Sequence, residues 1–201
     1  MKKFFSILAI SLTLVSLNVS AAPIVGDVAP ALKANDTNAN EFSLANQKGK
    51  IVVLEWTNHD CPYVKKHYET NNMQSLQKKY TEQGVVWVSI VSSATGKQGY
   101  LENGKEANEV FKGRNSKPTH IIRDESGKIG KTFQAATTPH MFIIDAEGKL
   151  AYQGAIDSRP TASKDDVEGA TNYVANALDE LIAGKAVSKP VTSAYGCSVK
   201  Y

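Results

Sequence analysis

Two cysteines, Cys61 and Cys197, and four histidines give this 201-residue chain its widest chemical range. Cys61 lies in the string Trp56-Thr57-Asn58-His59-Asp60-Cys61-Pro62-Tyr63-Val64. Proline is favoured at the first position of a helix, so Cys61 reads as the N-cap of a helix that opens at Pro62. A thiol there faces unpaired backbone N–H groups and the positive end of the helix dipole. Both favour the thiolate, which is the nucleophilic form. Asp60 opposes that charge, whereas His59, or His140 brought in by the fold, assists it. The bland alternative is an inert buried cysteine, since unpaired Cys is among the most buried residue types. A second feature is Thr137-Thr138-Pro139-His140. Its proline is either an ordinary trans residue at a strand entry or a cis residue in a tight functional turn. The third is Cys197, near the end of the chain.

These groups need elements to position them. Ile51 to Trp56 is β-branched and almost continuously apolar, as in a strand buried on both faces. The helix from Pro62 carries Val64 and Tyr68 inward and breaks or kinks at Asn71-Asn72. A second helical stretch, 73–83, places Met73, Leu76 and Tyr80 at helical spacing. Strands follow at 85–91 and 119–123, with a helix over 106–114 between them and a short helix over 128–134. Residues 141–145 and 150–153 flank a hairpin turn. The segment 163–183 reads as one amphipathic helix capped by Ser163 and Asp166, with Val167, Ala170, Val174, Leu178, Leu181 and Ile182 on one face. Residues 22–50 read as a loop-like lead, and the chain past Gly184 as a flexible tail without period. Lys65-Lys66 and Lys78-Lys79 read as solvated helix faces. Trp56, Trp87, Phe142 and Tyr152 read as core. The order β-α-β-α-β-α-β-β-α implies an α/β sheet with parallel crossovers first and a hairpin last.

Composition bounds the remaining choices. With 42% hydrophobic residues, 14 Gly and 7 Pro, the chain is neither disordered nor low-complexity. Two cysteines supply neither a disulfide-dense scaffold nor a four-thiolate zinc site. Residues 1–21 read as an export signal: Lys2 and Lys3, an apolar stretch from Phe4 to about Val19, then Ala21 and Ala22, with cleavage after Ala21. The stretch is short of the roughly 20 apolar residues of a spanning helix, the alternative being an uncleaved anchor. Removing it takes two lysines away and leaves a net charge of +1. Nothing in that balance points to nucleic acid or an anionic membrane. The reading is a signal over 1–21, one domain over 22–184 and a tail over 185–201, exported to a bacterial periplasm.

The strand–Cys–helix unit, followed later by Thr138-Pro139 and a hairpin, resembles the thioredoxin superfamily. The lead Val25-Gly26-Asp27-Val28-Ala29-Pro30 and the polar stretch 92–105 are similar to its redoxin branch, the alkyl hydroperoxide reductase/thiol-specific antioxidant group. Within that branch, Asn58-His59, Cys61-Pro62-Tyr63-Val64-Lys65 and Gly196-Cys197-Ser198-Val199-Lys200-Tyr201 resemble a group of exported peroxiredoxin-like proteins. The resemblance covers about residues 24–201. It implies a thioredoxin-like fold, a central mixed sheet with helices on both faces and a C-terminal hairpin and helix. It also implies a cis Pro139 beside Cys61, offering backbone to an extended substrate, with Thr138, Asn58, His59 and Pro62 shaping or orienting the site.

The sequence departs from the pattern in three places. Val64 stands where thioredoxins carry their second cysteine. Asn58 stands where peroxiredoxins carry Thr or Ser. The arginine that peroxiredoxins place near the thiolate has no motif match, with Arg123 and Arg159 as candidates. Cys197 is then the thiol left to resolve an oxidised Cys61, in its own chain or that of a dimer partner. The alternatives are a static disulfide, whose long loop would contribute about 5 kcal/mol, and two independent thiols. The resemblance implies a thiol-dependent oxidoreductase without cofactor or metal, fed by an external thiol donor. Hydroperoxide reduction leads, thiol–disulfide exchange on exported proteins is the alternative, and a non-enzymatic copper-binding module of His59, Cys61, His67 and His140 comes third. Against the third, copper-delivering relatives of this fold use two cysteines one turn apart, and His67 projects from a different helix face than Cys61.

Overall fold

The computed structural model describes residues 22–201; the expected export signal at 1–21 lies outside them. A five-stranded sheet forms the centre, in the order β5 (His120–Arg123), β4 (Val86–Val91), β3 (Val52–Trp56), β7 (His140–Ile144) and β8 (Leu150–Gly154). The β3–β4 and β4–β5 pairs are parallel, while β3–β7 and β7–β8 are antiparallel. Parallel neighbours need crossovers, which α1 (Pro62–Glu69) with α2 (Asn72–Thr81) and α3 (Gly104–Gly113) supply. The expected mixed sheet with a terminal hairpin is present.

Every residue of β3 and β4 is buried, as a strand covered on both faces requires. Alternate residues serve opposite layers. Val53, Trp87 and Ile143 pack with Val64, Tyr68, Met73 and Tyr80 of α1 and α2, and with Val174 and Leu178 of α5 (Tyr173–Ile182). Leu54, Trp56, Val88, Ile90 and Phe142 pack on the other face with Phe133 of α4 (Lys128–Phe133) and with Phe42. The predicted core aromatics Trp56, Trp87, Phe142 and Tyr152 are all buried. Asn71 takes a left-handed conformation (φ 59°) and separates α1 from α2, as the Asn-Asn pair suggested.

Three expectations are corrected. The lead is not merely loop: β1 (Lys33–Asn35) and β2 (Glu41–Ser43) form an antiparallel hairpin that seats Phe42 in the core. The helix expected over 163–183 begins only at Tyr173. Ser163 makes no side-chain cap, a 3-10 turn spans Lys164–Val167, and Gly169 turns the chain at φ +74°. The real cap is Asn172, whose side chain accepts from the Ala175 N–H at 2.9 Å. Val167 and Ala170 therefore leave the predicted apolar face, which Val174, Ala177 and Leu178 carry alone as buried residues.

The tail is the third correction. It lacks period but is tied down along its length. Val191 bridges to Gln153, and β9 (Cys197–Ser198) pairs antiparallel with β6 (Thr137–Thr138). The Ala94 N–H donates to the Lys200 carbonyl at 2.8 Å, and the Tyr201 hydroxyl to the Ala135 carbonyl at 2.8 Å. No helix among the described residues is long and apolar enough to cross a membrane.

Candidate functional site

Strand β3 ends at Trp56, and the polar turn 57–60 delivers Cys61 to the start of α1. Cys61 is the N-cap, with extended backbone (φ −71°, ψ 125°) and Pro62 following in the first turn. Its carbonyl accepts from the Val64 and Lys65 N–H groups at 3.0 and 2.9 Å, so the helix begins on it. Two hydrogen bonds hold the turn there, both made by the Asn58 side chain. The Asn58 amide donates to the Gln98 carbonyl at 3.0 Å, and its side-chain oxygen accepts the Asp60 N–H at 2.9 Å. Gly99 lies against that amide, and a Cβ there would stand 2.2 Å from Asn58 Oδ1. Asn58 thus staples the Cys61 turn to the 98–99 segment.

From the other side come Thr138 and Pro139. The Thr138–Pro139 bond is cis, as the resemblance implied. Thr138 is buried, and its carbonyl oxygen lies 3.1 Å from Cys61 Sγ. On β6 the tail adds its own strand, with Thr138 opposite Cys197 and Thr137 opposite Ser198. Cys197 Sγ comes to 2.7 Å from Cys61 Sγ, both residues being free thiols. A disulfide needs about 2.05 Å between sulfurs, so little motion separates the pair from a bond. Gly196 makes the approach sterically open: its φ is +137°, and a Cβ would stand 2.1 Å from the Thr138 carbonyl oxygen.

The two thiols differ in protonation. Burial raises the Cys61 pKa, but hydrogen bonds from Cys197 and from the Val64 and Cys197 N–H groups outweigh it, and the net shift is downward. Burial and the Cys61 sulfur push Cys197 upward. Cys61 is therefore the more acidic thiol of the pair, the one that ionises first. Access runs the other way. Cys61 is 0% exposed, whereas Cys197 is half-buried.

The histidines divide. His59 Nε2 lies 3.6 Å from Asp60 Oδ2, while its Nδ1 is buried without a partner. His140 begins β7; its Nδ1 accepts the Ala136 N–H at 3.2 Å, and burial lowers its pKa to about 4. Neither touches Cys61 Sγ, whose polar contacts are Thr138 and Cys197. Arg123 donates to the Leu101 and Glu102 carbonyls at 3.0 and 2.7 Å and pairs with Glu125, so it is not the sought thiolate partner. Among the described residues, no three of His, Cys, Asp and Glu group as metal ligands would.

Sequence reasoning missed a second polar group on α1. Lys66, read as a solvated lysine, has a side chain 0% exposed, and His67 is equally buried. Lys66 Nζ lies 3.5 Å from Asp157 Oδ2, and Tyr195 closes the cluster. Tyr195 stands two residues before Cys197, and that spacing is the only signal of it in the sequence.

Residues 25–153 match the family model described as the AhpC/TSA family. Among curated proteins, thiol-disulfide oxidoreductase ResA of Bacillus thuringiensis is 27% identical over 126 residues, covering 63% of this chain and 66% of that protein. The match thus spans just under two-thirds of the relative's length. A hypothetical protein of Sinorhizobium meliloti superposes with a TM-score of 0.75 at 24% identity, over 90% of this chain and 97% of that one. The thioredoxin domain of a thiol-disulfide oxidoreductase from Bacteroides vulgatus gives a TM-score of 0.53 at 19% identity, over 73% of this chain and 97% of that one. The fold is thioredoxin-like.

Proposed function

The chain belongs to the AhpC/TSA family, and from that premise we propose that it is a thiol oxidoreductase whose Cys61 and Cys197 cycle between dithiol and disulfide. The observation that carries this is the 2.7 Å sulfur–sulfur approach at the helix N-terminus, beside the cis-proline. In the exchange reaction the Cys61 thiolate attacks a substrate disulfide, forms a mixed disulfide and releases one substrate thiolate. Cys197, deprotonated as it attacks, then takes the Cys61 sulfur, forms the Cys61–Cys197 bond and releases the second substrate thiolate. Two electrons pass from protein to substrate, and an external dithiol restores the starting state. The ResA relative, a thiol-disulfide oxidoreductase by its description, supports a disulfide as substrate.

Hydroperoxide reduction is the second reading, and the family match favours it. There the Cys61 thiolate attacks the peroxide oxygen, yielding sulfenic acid and an alcohol or water. Cys197 then condenses with the sulfenic acid and releases water. Against it stands the Asn58 side chain, spent on the 98–99 segment and Asp60 rather than turned to a peroxide at Cys61. Asn58, His59, Thr138, Pro139 and Pro62 shape and hold the site in either reading. The tail reaches Cys61 within one chain, so this chemistry needs no dimer.

The test treats reduced protein separately with stoichiometric hydrogen peroxide and with an oxidised protein disulfide, quenches with acid, and maps cysteine linkages by mass spectrometry. Fast formation of the Cys61–Cys197 bond with the disulfide and sluggish reaction with peroxide supports exchange. A rapid sulfenate at Cys61 with peroxide transfers the assignment to the peroxidase. Absence of a Cys61–Cys197 bond under both oxidants would overturn the cycle. Export is part of the same reading, since a disulfide couple operates in an oxidising compartment.

A further inference from the structure

The buried cluster around Tyr195 has no part in the electron transfer itself, yet the Tyr195 hydroxyl has every bonding site filled, which packing does not require. A phenol offers one donor and two acceptor sites. The Tyr195 hydroxyl donates to Asp157 Oδ1. It accepts from Lys66 Nζ at 3.3 Å, and from His67 Nε2 at 3.2 Å. The direction of the last bond follows from the other ring nitrogen: His67 Nδ1 accepts the Asn72 side-chain amide at 2.8 Å, which leaves the proton on Nε2. Lys66 Nζ donates to the Arg159 carbonyl at 2.7 Å and to Tyr195, and faces Asp157 Oδ2 at 3.5 Å as an ion pair, an oxygen that accepts no hydrogen bond. All of Lys66, His67 and Asp157 are buried.

Burying such charges is a poor source of stability, because desolvation offsets most of their attraction. What the arrangement supplies is direction. An apolar residue at 195 would hold the tail by area alone and tolerate sliding, whereas a hydroxyl with three fixed partners accepts one position. That position is two residues from Cys197, and the intervening Gly196 lies against the Thr138 carbonyl.

We infer that Lys66, Asp157 and Tyr195, with His67, form a polar latch that positions the second thiol over Cys61 and closes the tail across it. The latch rests on the dithiol–disulfide reading for its purpose, but not for its detection. With it closed, Cys197 stands in contact with Cys61 and Cys61 is sealed from solvent; with it open, the strand pairing of Cys197 and Ser198 loses its anchor and Cys61 becomes accessible. Tyr195 is a positioning residue, acting through Cys197.

The experiment compares wild type with Tyr195→Phe, which keeps the ring and its edge contact with Tyr63 but removes the hydroxyl. Three quantities are read on the full-length protein: the disulfide-to-dithiol ratio of Cys61–Cys197 in glutathione buffers, the iodoacetamide alkylation rate of Cys61 in reduced protein, and the thermal midpoint. The latch predicts about a tenfold lower disulfide ratio, the scale of a lost bond to a charged group, and a Cys61 alkylation rate raised by a similar factor. A lower thermal midpoint with both thiol readouts unchanged would make the cluster merely structural and overturn the latch. If Tyr195→Phe does not fold, Asp157→Asn replaces it with the same expectations. Should wild type form no Cys61–Cys197 disulfide, the redox cycle falls, and the alkylation rates still decide the latch: a faster variant supports it, equal rates sink it.

Discussion

The unit that carries Cys61 and the tail that carries Cys197 reach the same point by opposite means. The first is continuous: a strand, a four-residue turn and a helix, in which near neighbours set the backbone and Asn58 ties the turn to the 98–99 segment. The tail has only a two-residue strand of its own and is placed by contacts with α1, β6, β8 and the 93–94 segment. One sulfur is thus set by local structure and the other by tertiary bonds. Changes to the first should act on the fold or on the reactivity of Cys61, and changes to the second on the pairing of the sulfurs.

Replacing Cys61 by Ser should have the largest effect, lowering the exchange rate by roughly 10³-fold or more, as loss of a nucleophile does; stopped-flow assay against a protein disulfide measures it. Next is Glu55, buried in β3, where it accepts from Tyr68 Oη, Gln77 Nε2, Trp87 Nε1 and Ser89 Oγ at 2.7–3.0 Å. Glu55→Ala strands four buried donors, and should cost about 3 kcal/mol in denaturant unfolding while leaving the Cys61–Cys197 redox equilibrium in place. Gly196→Ala should do the reverse. Strain at its positive φ, about 2 kcal/mol, and the clash with Thr138 should lower the disulfide ratio roughly 30-fold with little change in the unfolding midpoint. If Glu55→Ala and Gly196→Ala moved both quantities alike, the contrast between the two regions would collapse.

Protonation sharpens the comparison further. The contact with Cys197 helps to lower the Cys61 pKa, so Cys197→Ala should move the midpoint of the Cys61 alkylation–pH profile upward. A midpoint that stays put would remove the tail from the electrostatics of the nucleophile. The last effect concerns acid and leaves the pairing of the sulfurs aside. Burial lowers His67 and His140 to about 4 from an ordinary 6.5. The unfolded chain therefore binds protons first, and stability is complete above about 6.5 and lost as the pH falls toward 4. Thermal scans across that window should decline, and His140→Gln should flatten part of the decline.

How much was legible follows the same division. Strands β3, β4 and β7 announce themselves as apolar runs, and Cys61-Pro62 marks its own helix start. The false helix at 163–172 came from reading Val167 and Ala170 as one face with Val174, when Gly169 turns the chain and Asn172 starts a fresh cap. Lys66 was misread for a related reason. A lysine on a helix is solvated by default, and only the arrival of Asp157 and Tyr195 from distant segments makes its burial tolerable.

By itself the sequence determined the alternating layers of the sheet, the thiol at a helix N-terminus and the residues available for redox work. These depend on period, capping and composition, which act over a few residues. Tertiary structure alone decided that Cys197 meets Cys61 in the same chain, which of the two is the more acidic thiol, and that Lys66, His67, Asp157 and Tyr195 form one cluster. Each of those depends on a distance or a desolvation between residues far apart in the chain, and such quantities exist only once the tail has folded back onto the sheet.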